Sequence, residues 1–320
     1  MESVRFEVFQ REVKKLKGKK QILVFGSLIM DISIRCDEIP KAGETVYTYE
    51  DYQVNPGGKG GNQAVAAARA GGSVTVLGRI ADDEYAHILT DSFRADQIET
   101  GRLLTDPQAR TGVAFVWVDQ KGSNRCLCSL GANARNTPED IRSYEPLFQE
   151  GDIVMTTLEH GEEVLDTVTE LAKKKGCLLM VDPSSKDYSK LTDKIAGRID
   201  ILKPNEVETE ILTGIHVENI EDAYRAVTIL KERGIKTPII SLGKQGAVYE
   251  SEGKLCHVKG IEVPSVDTTA AGDTFMGSLA ARLSLGEPFP EAIAYANRAA
   301  SLCVQKKGAQ KSIPFMKDVL

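Results

Sequence analysis

The sequence predicts an α/β fold in which helices flank both faces of a mainly parallel β-sheet. Short apolar runs such as ILVFGS at 22–27 and GCLLMVDPS at 176–184 end in glycine or polar residues, as buried strands do. Between such runs lie segments with helical spacing that stop at glycine, among them EEVLDTVTELAKKKG. Strands that alternate with helices are typical of βαβ units, which join parallel strands through right-handed crossovers.

The other predicted elements continue this alternation of strands and helices along the chain. An alanine-rich helix at 61–72, GNQAVAAARAGG, ends in two glycines, which favour a helix C-cap. The further predicted strands are 73–80, 152–159, 200–205 and 237–243, and the further predicted helices are EYAHILTDSFRADQ, NEVETEILTG and EDAYRAVTILKERG. Near the C-terminus a β-branched run reaches Asp267, and Gly272 and Asp273 open a long apolar helix. A strand-to-helix turn is therefore predicted at this point.

Two stretches do not fit the alternation of buried strands and helices, because their apolar and polar residues alternate one by one. They are ETVYTYEDYQVNPGG (44–58) and GVAFVWVDQKGSNRCLCSLGAN (112–133), and the second contains Trp117, the only tryptophan. Such alternation is typical of half-exposed antiparallel strands, and DQKGSN is a favourable hairpin turn. The two stretches predict a small antiparallel β-sheet outside the main domain, formed by about 32–56 and 111–131, that acts as a lid or a dimer surface.

Composition excludes several classes of protein. The formal net charge of −6 argues against a dedicated nucleic-acid binder, and no apolar run approaches the roughly 20 residues that span a bilayer. Residues 1–20 form a basic extension, either a helix or a disordered arm, ahead of a main domain at 21–320. Because this extension lacks the apolar core of a secretory signal, a cytoplasmic location is expected.

The six cysteines are scattered, and most lie in apolar surroundings. Cys126 and Cys128 share one face of a predicted strand, but no second pair completes a zinc site. Buried, reduced thiols are therefore expected in preference to a metal site; the six cysteines are Cys36, Cys126, Cys128, Cys177, Cys256 and Cys303.

The segment VDTTAAGDTFMGSLA, residues 266–280, carries the most specific functional signal. The start of a helix points unpaired backbone N–H groups at one spot, and the helix dipole adds positive charge there. A phosphate is a natural occupant of such a spot. Asp273 could accept a proton from a hydroxyl held beside that phosphate. Alternatively, Asp273 only complements the helix dipole, as acidic residues in first turns often do.

Other polar residues lie where ligands of parallel sheets bind, at the carboxyl ends of the strands. Each could also be a helix cap or a turn residue. They are Asp31, Glu159, Asp182, Lys203, Asn205, Ser241 and Gly243. The loop NPGGKGGN at 55–62 adds four glycines and a lysine ahead of a helix, so its backbone can approach a ligand closely.

From about residue 21 to 315 the chain resembles the ribokinase-like sugar kinases, the PfkB family. GGKGGNQAVAAARAGG is similar to the first signature of the family, DTTAAGDTFMGSLA to its second, and LKPNEVETEILTG to its N-x-x-E element. TGVAFVWVD, GANA and KGAQKSIP are closest to the ribokinase subgroup. The resemblance implies a three-layer fold and a lid that closes over a sugar and pairs with the lid of a second subunit, giving a homodimer.

The resemblance also implies roles for individual residues. Asp273 would be the general base, and the N–H groups of Ala270, Ala271 and Gly272 would form an anion hole. The sugar would be held by Asp31, Gly58, Lys59, Asn62 and Glu159, in addition to Asp273. ATP would be bound by Asn205, Glu208, Ser241, Gly243, Gly246, Gly272 and Asn297, with Glu208 holding Mg²⁺ through water. A monovalent cation, K⁺ or a similar ion, would lie at Asp267, Thr269, Cys303, Gly308 and Ser312.

Three residues depart from the pattern of the subgroup. Ile29 replaces an asparagine that would contact a ribose hydroxyl, so that hydroxyl would face an apolar side chain at a cost of ~1–3 kcal/mol. Asp182 stands where asparagine is usual, and Arg135 either meets an anionic substituent or faces solvent. The expected activity is ATP-dependent phosphorylation of ribose at O5. The alternatives are phosphorylation of 2-deoxyribose, a ketohexose derivative or a nucleoside, or a non-catalytic sugar sensor on the same scaffold.

Overall fold

Among the described residues the main sheet has nine strands, and most of the polar residues expected at the carboxyl ends of its strands lie at that edge. Asp31 is the exception, because it lies on a strand of a second, smaller sheet. The structure, a computed structural model, describes residues 20–119, 124–185, 187–251 and 253–320. The strands of this sheet are β1 (Gln21–Phe25), β4 (Ser73–Ala81), β5 (Leu103–Asp106), β8 (Ile153–Thr157), β9 (Leu178–Asp182), β10 (Ile201–Leu202), β11 (Thr237–Ser241), β12 (Gly246–Ser251) and β13 (Lys254–Lys259). Their order is β13-β12-β11-β10-β9-β8-β1-β4-β5. All neighbours from β11 to β5 are parallel, whereas β12 and β13 add antiparallel strands at one edge.

Helices cover both faces of this sheet, which confirms the predicted three-layer fold. They are α1 (Lys59–Arg69), α2 (Glu84–Ala95), α3 (Pro138–Ser143), α4 (Glu162–Lys174), α5 (Asp193–Ala196), α6 (Glu206–Thr213), α7 (Ile220–Glu232), α8 (Ala271–Ser284), α9 (Phe289–Cys303) and α10 (Met316–Val319). Strand β1 shows why the two faces of the sheet have separate cores. Its side chains alternate, so Ile22 and Val24 enter one apolar cluster with α1, α8 and α9, while Leu23 and Phe25 enter a second with α4.

A second sheet of four strands stands apart from the main one. Its strands are β2 (Ile29–Arg35), β3 (Gln53–Gly57), β6 (Gly112–Val118) and β7 (Asn124–Ser129), in the order β3-β2-β6-β7. The β2–β3 and β6–β7 pairs are antiparallel as predicted, whereas β2 and β6 are parallel. The predicted hairpin turn at 120–123 lies outside the described residues. We call this four-stranded sheet the lid.

Three expectations need correction. Residues 44–52 do not form a strand, because in the described part of the chain they pair with no neighbour, and Tyr47 and Tyr49 project into solvent. The strand expected immediately ahead of Asp267 is also absent, because residues 260–266, all of them described, are not part of a sheet. The N–H groups of Val266 and Asp267 bond to the carbonyl of Val304, so the end of α9 holds this segment instead of the sheet.

The third correction concerns the cysteines. Cys126 and Cys128 are exposed on β7 and Cys256 is intermediate, whereas the remaining three are buried as expected. All six are described, and none forms a disulfide. Of the basic extension only Lys20 is described, so the prediction for 1–19 lies outside the described residues. Within the described residues no helix has the length and hydrophobicity to cross a membrane.

Candidate active site

The glycine-rich loop and α1 bring one group of side chains to the carboxyl end of β1. Gly58 has φ of +80°, which only glycine adopts readily, and it lets the chain turn into α1. Gly60 packs on the backbone of Gly26, where a Cβ atom would lie 2.4 Å from the Gly26 carbonyl carbon. This close packing sets the position of the first turn of α1, which carries Lys59 and Asn62.

Asp273 receives hydrogen bonds from this turn. Its Oδ2 accepts from the Asn62 amide at 3.0 Å, and its Oδ1 accepts from the Gln63 amide at 3.2 Å. The Lys59 ammonium lies 3.7 Å from Oδ1. Asn62, Gln63 and Asp273 are all buried. The structure therefore brings together the predicted base and two of the predicted sugar residues, although they lie about two hundred residues apart in the chain.

Gln63 is a site residue that sequence reasoning missed. Besides Asp273, its amide lies 3.5 Å from Oδ2 of Asp182, so it bridges two buried carboxylates. The signal available in the sequence was its place beside Asn62 in the first family signature. No local pattern distinguishes it, because its partners come from β9 and α8.

Asp182 is the centre of a buried ion-pair network. It is fully buried, and its carboxylate lies 3.3 Å from the Lys59 ammonium and 3.6 Å from that of Lys203. Burial by itself would raise the pKa of Asp182, but the two ammonium groups and the N–H of Ser184 outweigh it and lower the pKa. Burial also acts to lower the pKa of Lys59, yet Asp182 and Asp273 overcome this effect and raise it.

Asp31 and Glu159 complete the predicted sugar-binding group. Burial, and then the charge of Asp273, raises the pKa of Asp31 from its ordinary 3.8 to about 6. A Cβ atom on Gly57 would lie 2.1 Å from the Asp31 carboxylate, so a larger residue there would displace this carboxylate. Burial also raises the pKa of Glu159, which accepts a hydrogen bond from the Thr157 hydroxyl at 2.9 Å. Asp31 lies on the lid strand β2 and Glu159 follows β8 of the main sheet, so the two carboxylates reach the site from different sheets.

The predicted anion hole lies at the start of α8. Ala270 caps this helix in the left-handed conformation with φ of +62°, which is strained for a residue with a side chain. The N–H of Ala271 already donates to the carbonyl of Thr268 at 3.2 Å, a long bond that a phosphate oxygen could share. Next to Gly272 lies the Lys203 ammonium, 3.1 Å from where a Cβ atom on this glycine would be.

Asn205 and Glu208 have a structural role at the start of α6. They form a capping box in which the Asn205 side chain accepts from the Glu208 N–H at 2.8 Å and Glu208 Oε2 accepts from the Asn205 N–H at 2.9 Å. Burial, and then the charge of Asp182, raises the pKa of Glu208. Because the capping box uses Oε2, the other oxygen of Glu208 fits a water molecule on Mg²⁺.

The other predicted ATP residues follow β11. Ser241 ends that strand, and Gly243 and Gly246 have φ of +48° and +93°, which explains the two glycines. The Asn297 amide donates to the carbonyl of Lys259 at 2.9 Å and so ties α9 to the end of β13. Each residue therefore has a local structural role, and a nucleotide contact would be additional to it.

The five residues of the predicted cation site converge. Asp267 accepts from the N–H and hydroxyl of Thr269, at 2.9 and 2.6 Å, and from the N–H of Gly308 at 2.9 Å. The Cys303 thiol lies 3.6 Å from the Thr269 carbonyl and 3.0 Å from the Ser312 hydroxyl. Among the described residues no cluster of three histidine, cysteine or acidic side chains could hold a metal. One carboxylate with backbone carbonyls fits K⁺ better than a divalent ion.

The departures Ile29 and Arg135 lie in different places. Ile29 is buried, and it shares a face of the lid with Asp31, two residues along β2. Arg135 pairs with Asp106 at the end of β5, with Nε 2.9 Å from the carboxylate, and its side chain is 47% exposed. Arg135 therefore has a counter-ion in Asp106, which also lies 3.5 Å from the Arg79 guanidinium.

Comparison with known proteins identifies the family. The model for the pfkB family carbohydrate kinases matches residues 19–316. The chain belongs to this family. The PfkB chain is 36% identical over 302 residues to a ribokinase of Haemophilus influenzae, which covers 94% of this chain and 98% of the relative. It is 31% identical over 293 residues to a deoxyribokinase of Salmonella typhi, with 92% and 95% covered.

A solved structure agrees with these relatives. Arabidopsis thaliana ribokinase complexed with ribose and ATP superposes on this PfkB chain with a TM-score of 0.83 at 29% identity, covering 94% of this chain and 97% of that one. The protein is accordingly an ATP-dependent carbohydrate kinase, with a sugar as phosphoryl acceptor and ATP as donor.

Proposed function

We propose that this kinase transfers the γ-phosphate of ATP to the primary hydroxyl of ribose, producing ribose 5-phosphate, with Asp273 as the general base. The observation that carries this proposal is the pair of amides, from Asn62 and Gln63, that orient the buried Asp273 carboxylate at the first turn of α8. A carboxylate held in this way can accept the hydroxyl proton while the oxygen attacks phosphorus. Without such orientation, the base would not face both the sugar and the phosphate.

The residues around Asp273 are of the kind that holds a sugar. Asp31 and Glu159 accept hydrogen bonds from hydroxyl groups, whereas Lys59 and Asn62 donate them. Gly58 lets the loop backbone approach the ring. A polar ring with both donors and acceptors suits a polyol, whose hydroxyls do both.

The charge that develops on the phosphoryl group meets the start of α8. The N–H groups of Ala270, Ala271 and Gly272 stabilise it there, since positioning and charge stabilisation dominate phosphoryl transfer. The rest of the ATP lies along the second group of polar residues, Asn205, Glu208, Ser241, Gly243, Gly246 and Asn297. Glu208 would hold Mg²⁺ through water, and this ion would neutralise charge on the phosphates. Asp267 and its neighbours would hold K⁺, which would stiffen the loop that carries the N–H donors.

The lid covers the sugar and forms a homodimer. Its face that bears Asp31 turns toward the site. On the opposite face, Phe115 and Leu127 are directly paired across β6 and β7 and are 41% and 61% exposed. An exposed apolar pair of this kind is typical of a surface that another subunit covers. Closure of the lid excludes water, which would compete with the sugar as acceptor.

The base assignment is tested by Asp273→Asn. Ribose-dependent release of ADP should fall at least ~10²-fold, because no group takes the hydroxyl proton, while ATP binding measured by calorimetry should persist. Asp91→Asn, on the exposed surface of α2, is the matched control and should behave like the unaltered protein. Near-native turnover of Asp273→Asn would show that the base is another group. Absence of sugar-dependent turnover in the unaltered protein would instead favour the sugar sensor.

A second candidate acceptor is 2-deoxyribose, and Ile29 is the observation that favours it. This buried side chain lies on the lid face that carries Asp31 and offers no hydrogen bond to a hydroxyl. A sugar that lacks this hydroxyl would leave no hydrogen bond unmade when it faces Ile29. Measuring kcat/KM for ribose, 2-deoxyribose, a ketohexose derivative and a nucleoside decides among the acceptors, since only the preferred one should approach saturation at low concentration.

A further inference from the structure

Lys203 is a buried lysine that the assignment above does not use. It follows β10 at the edge of the sheet where the site lies, and only 3% of its surface is exposed. Its ammonium is 3.1 Å from the position of a Cβ atom on Gly272, within the first turn of α8. Lysine is almost never buried this deeply without a partner or a function.

The partner of Lys203 is Asp182, but this ion pair does not account for the lysine by itself. The Lys59 ammonium lies closer to Asp182, at 3.3 Å against 3.6 Å, and Gln63 and the N–H of Ser184 also donate to that carboxylate. Asp182 is therefore neutralised and hydrogen-bonded without Lys203. An ammonium group has three N–H donors, so contact with Asp182 leaves others that can point toward Gly272.

We propose that Lys203 is a further catalytic residue, whose ammonium contacts the phosphoryl group as it passes from ATP to the sugar. This inference rests on the proposed function, which puts the phosphoryl group at the start of α8. There the sugar oxygen forms its bond to phosphorus as the bond to ADP breaks, and Asp273 takes the hydroxyl proton. Lys203 keeps its own proton and donates a hydrogen bond to a phosphoryl oxygen, beside the N–H groups of Ala270 and Gly272.

Asp182 and Lys203 then act as one unit. The carboxylate holds the ammonium in place through the 3.6 Å contact, so that it need not reorganise when charge develops on the phosphoryl oxygens. Lys59 lies on the sugar side of the same carboxylate. Asp182 thus separates two ammonium groups, one for the acceptor and one for the phosphoryl group.

The decisive experiment compares kcat for ADP release in four proteins: the unaltered chain, Lys203→Met, Asp182→Asn, and the double variant. Contact with the phosphoryl group requires that Lys203→Met lower kcat ~10²-fold in the unaltered chain, with the KM for the sugar little changed. In the Asp182→Asn background the ammonium has lost its support, so the same replacement should still lower kcat, but by less, about 10-fold. If Lys203 only neutralises Asp182, its replacement has little effect once that carboxylate has become an amide. That result would overturn the inference.

Folding of the variants does not limit the comparison. The double variant buries neither charge, so it can be compared with Asp182→Asn even if Lys203→Met alone fails to fold. Lys236→Met is the matched control. It removes a lysine from another buried aspartate, Asp200, 2.5 Å away at the opposite end of β10, and should leave kcat unchanged.

A binding measurement separates this inference from the proposed function. Aluminium fluoride with ADP imitates the phosphoryl group in transfer, and calorimetry of ADP with and without it requires no turnover. In the unaltered protein, aluminium fluoride should increase the affinity for ADP. We expect Lys203→Met to bind ADP alone normally, but this increase in affinity should be at least ~10-fold smaller in the variant. An undiminished gain would refute the role of Lys203 whichever sugar is the acceptor, whereas failure to phosphorylate ribose would count only against the proposed substrate.

Discussion

Replacing Asp31 by asparagine should stabilise the folded protein at neutral pH and weaken sugar binding at the same time. The folded structure raises the pKa of Asp31 to about 6 from 3.8, a shift of about 2 units, because the group is buried near the charge of Asp273. Since one unit corresponds to 1.36 kcal/mol, ionised Asp31 lowers the free energy of unfolding by about 3 kcal/mol. Asparagine has nearly the same shape and carries no charge, so this penalty disappears.

The pH dependence identifies the cause. A carboxyl group whose pKa is higher in the folded chain destabilises it only where the group is ionised, so the penalty is absent below pH 3.8, grows up to pH 6 and is constant above. The gain from Asp31→Asn should therefore be about 2 kcal/mol larger at pH 7.5 than at pH 4.5. Urea unfolding followed by fluorescence measures it, with Asp91→Asn on the surface as control. An equal effect at both pH values would refute the electrostatic explanation.

The same substitution should reduce function. A hydroxyl that donates to a charged acceptor contributes ~1.5–3 kcal/mol, so kcat/KM for the sugar should fall ~10- to 100-fold. In the unaltered protein, kcat/KM should decline as the pH falls through 6, because protonated Asp31 is a weaker acceptor. If Asp31→Asn leaves kcat/KM unchanged at neutral pH, Asp31 does not hold the sugar.

Three further predictions follow from individual contacts. Ile29→Asn should raise the preference for ribose over 2-deoxyribose by ~10-fold in competition kinetics, because a buried hydrogen bond is gained; an unchanged ratio would remove Ile29 from the sugar pocket. Gly60→Ala should lower the free energy of unfolding by at least ~1–3 kcal/mol, since its Cβ atom would lie 2.4 Å from the Gly26 backbone. In the control Gly161→Ala the new Cβ atom meets nothing within 4 Å, so the free energy of unfolding should change by less than ~0.5 kcal/mol. Replacing K⁺ by tetramethylammonium should depress turnover, and Ser312→Ala should raise the K⁺ concentration needed for half-maximal activity; indifference to both changes would exclude the cation site.

Much of the fold was predictable because it depends on local periodicity. Apolar runs that end in glycine identified the parallel strands, and the helices between them began and ended near the expected residues. The prediction failed at 44–52, where alternation is real but no strand lies alongside to pair with it. It also failed ahead of Asp267, because the carbonyl of Val304 takes the N–H groups that a sheet would have used. Pairing partners of this kind come from distant parts of the chain.

The candidate site likewise contains residues that local motifs reveal and residues that only tertiary contacts reveal. Asp273 and the loop around Lys59 could be found in the sequence, because glycine patterns and helix starts are local signals. Lys203 could be placed at the end of a strand but not beside Gly272, and Gln63 could not be found, since its partners Asp182 and Asp273 are distant in the chain. The sequence could show that Asp182 departs from the usual asparagine, but not that two ammonium groups surround it.

By itself, the sequence determined the α/β class of the fold, most of the parallel strands from β1 to β11 with the helices between them, and the family. These follow from side-chain periodicity and from short motifs whose geometry is local. Only the tertiary structure decided which charges face one another, which cysteines are exposed, and which glycines are required by close packing. Electrostatic interaction and steric exclusion act over a few ångströms between residues that the chain separates by a hundred or more, so no local pattern encodes them.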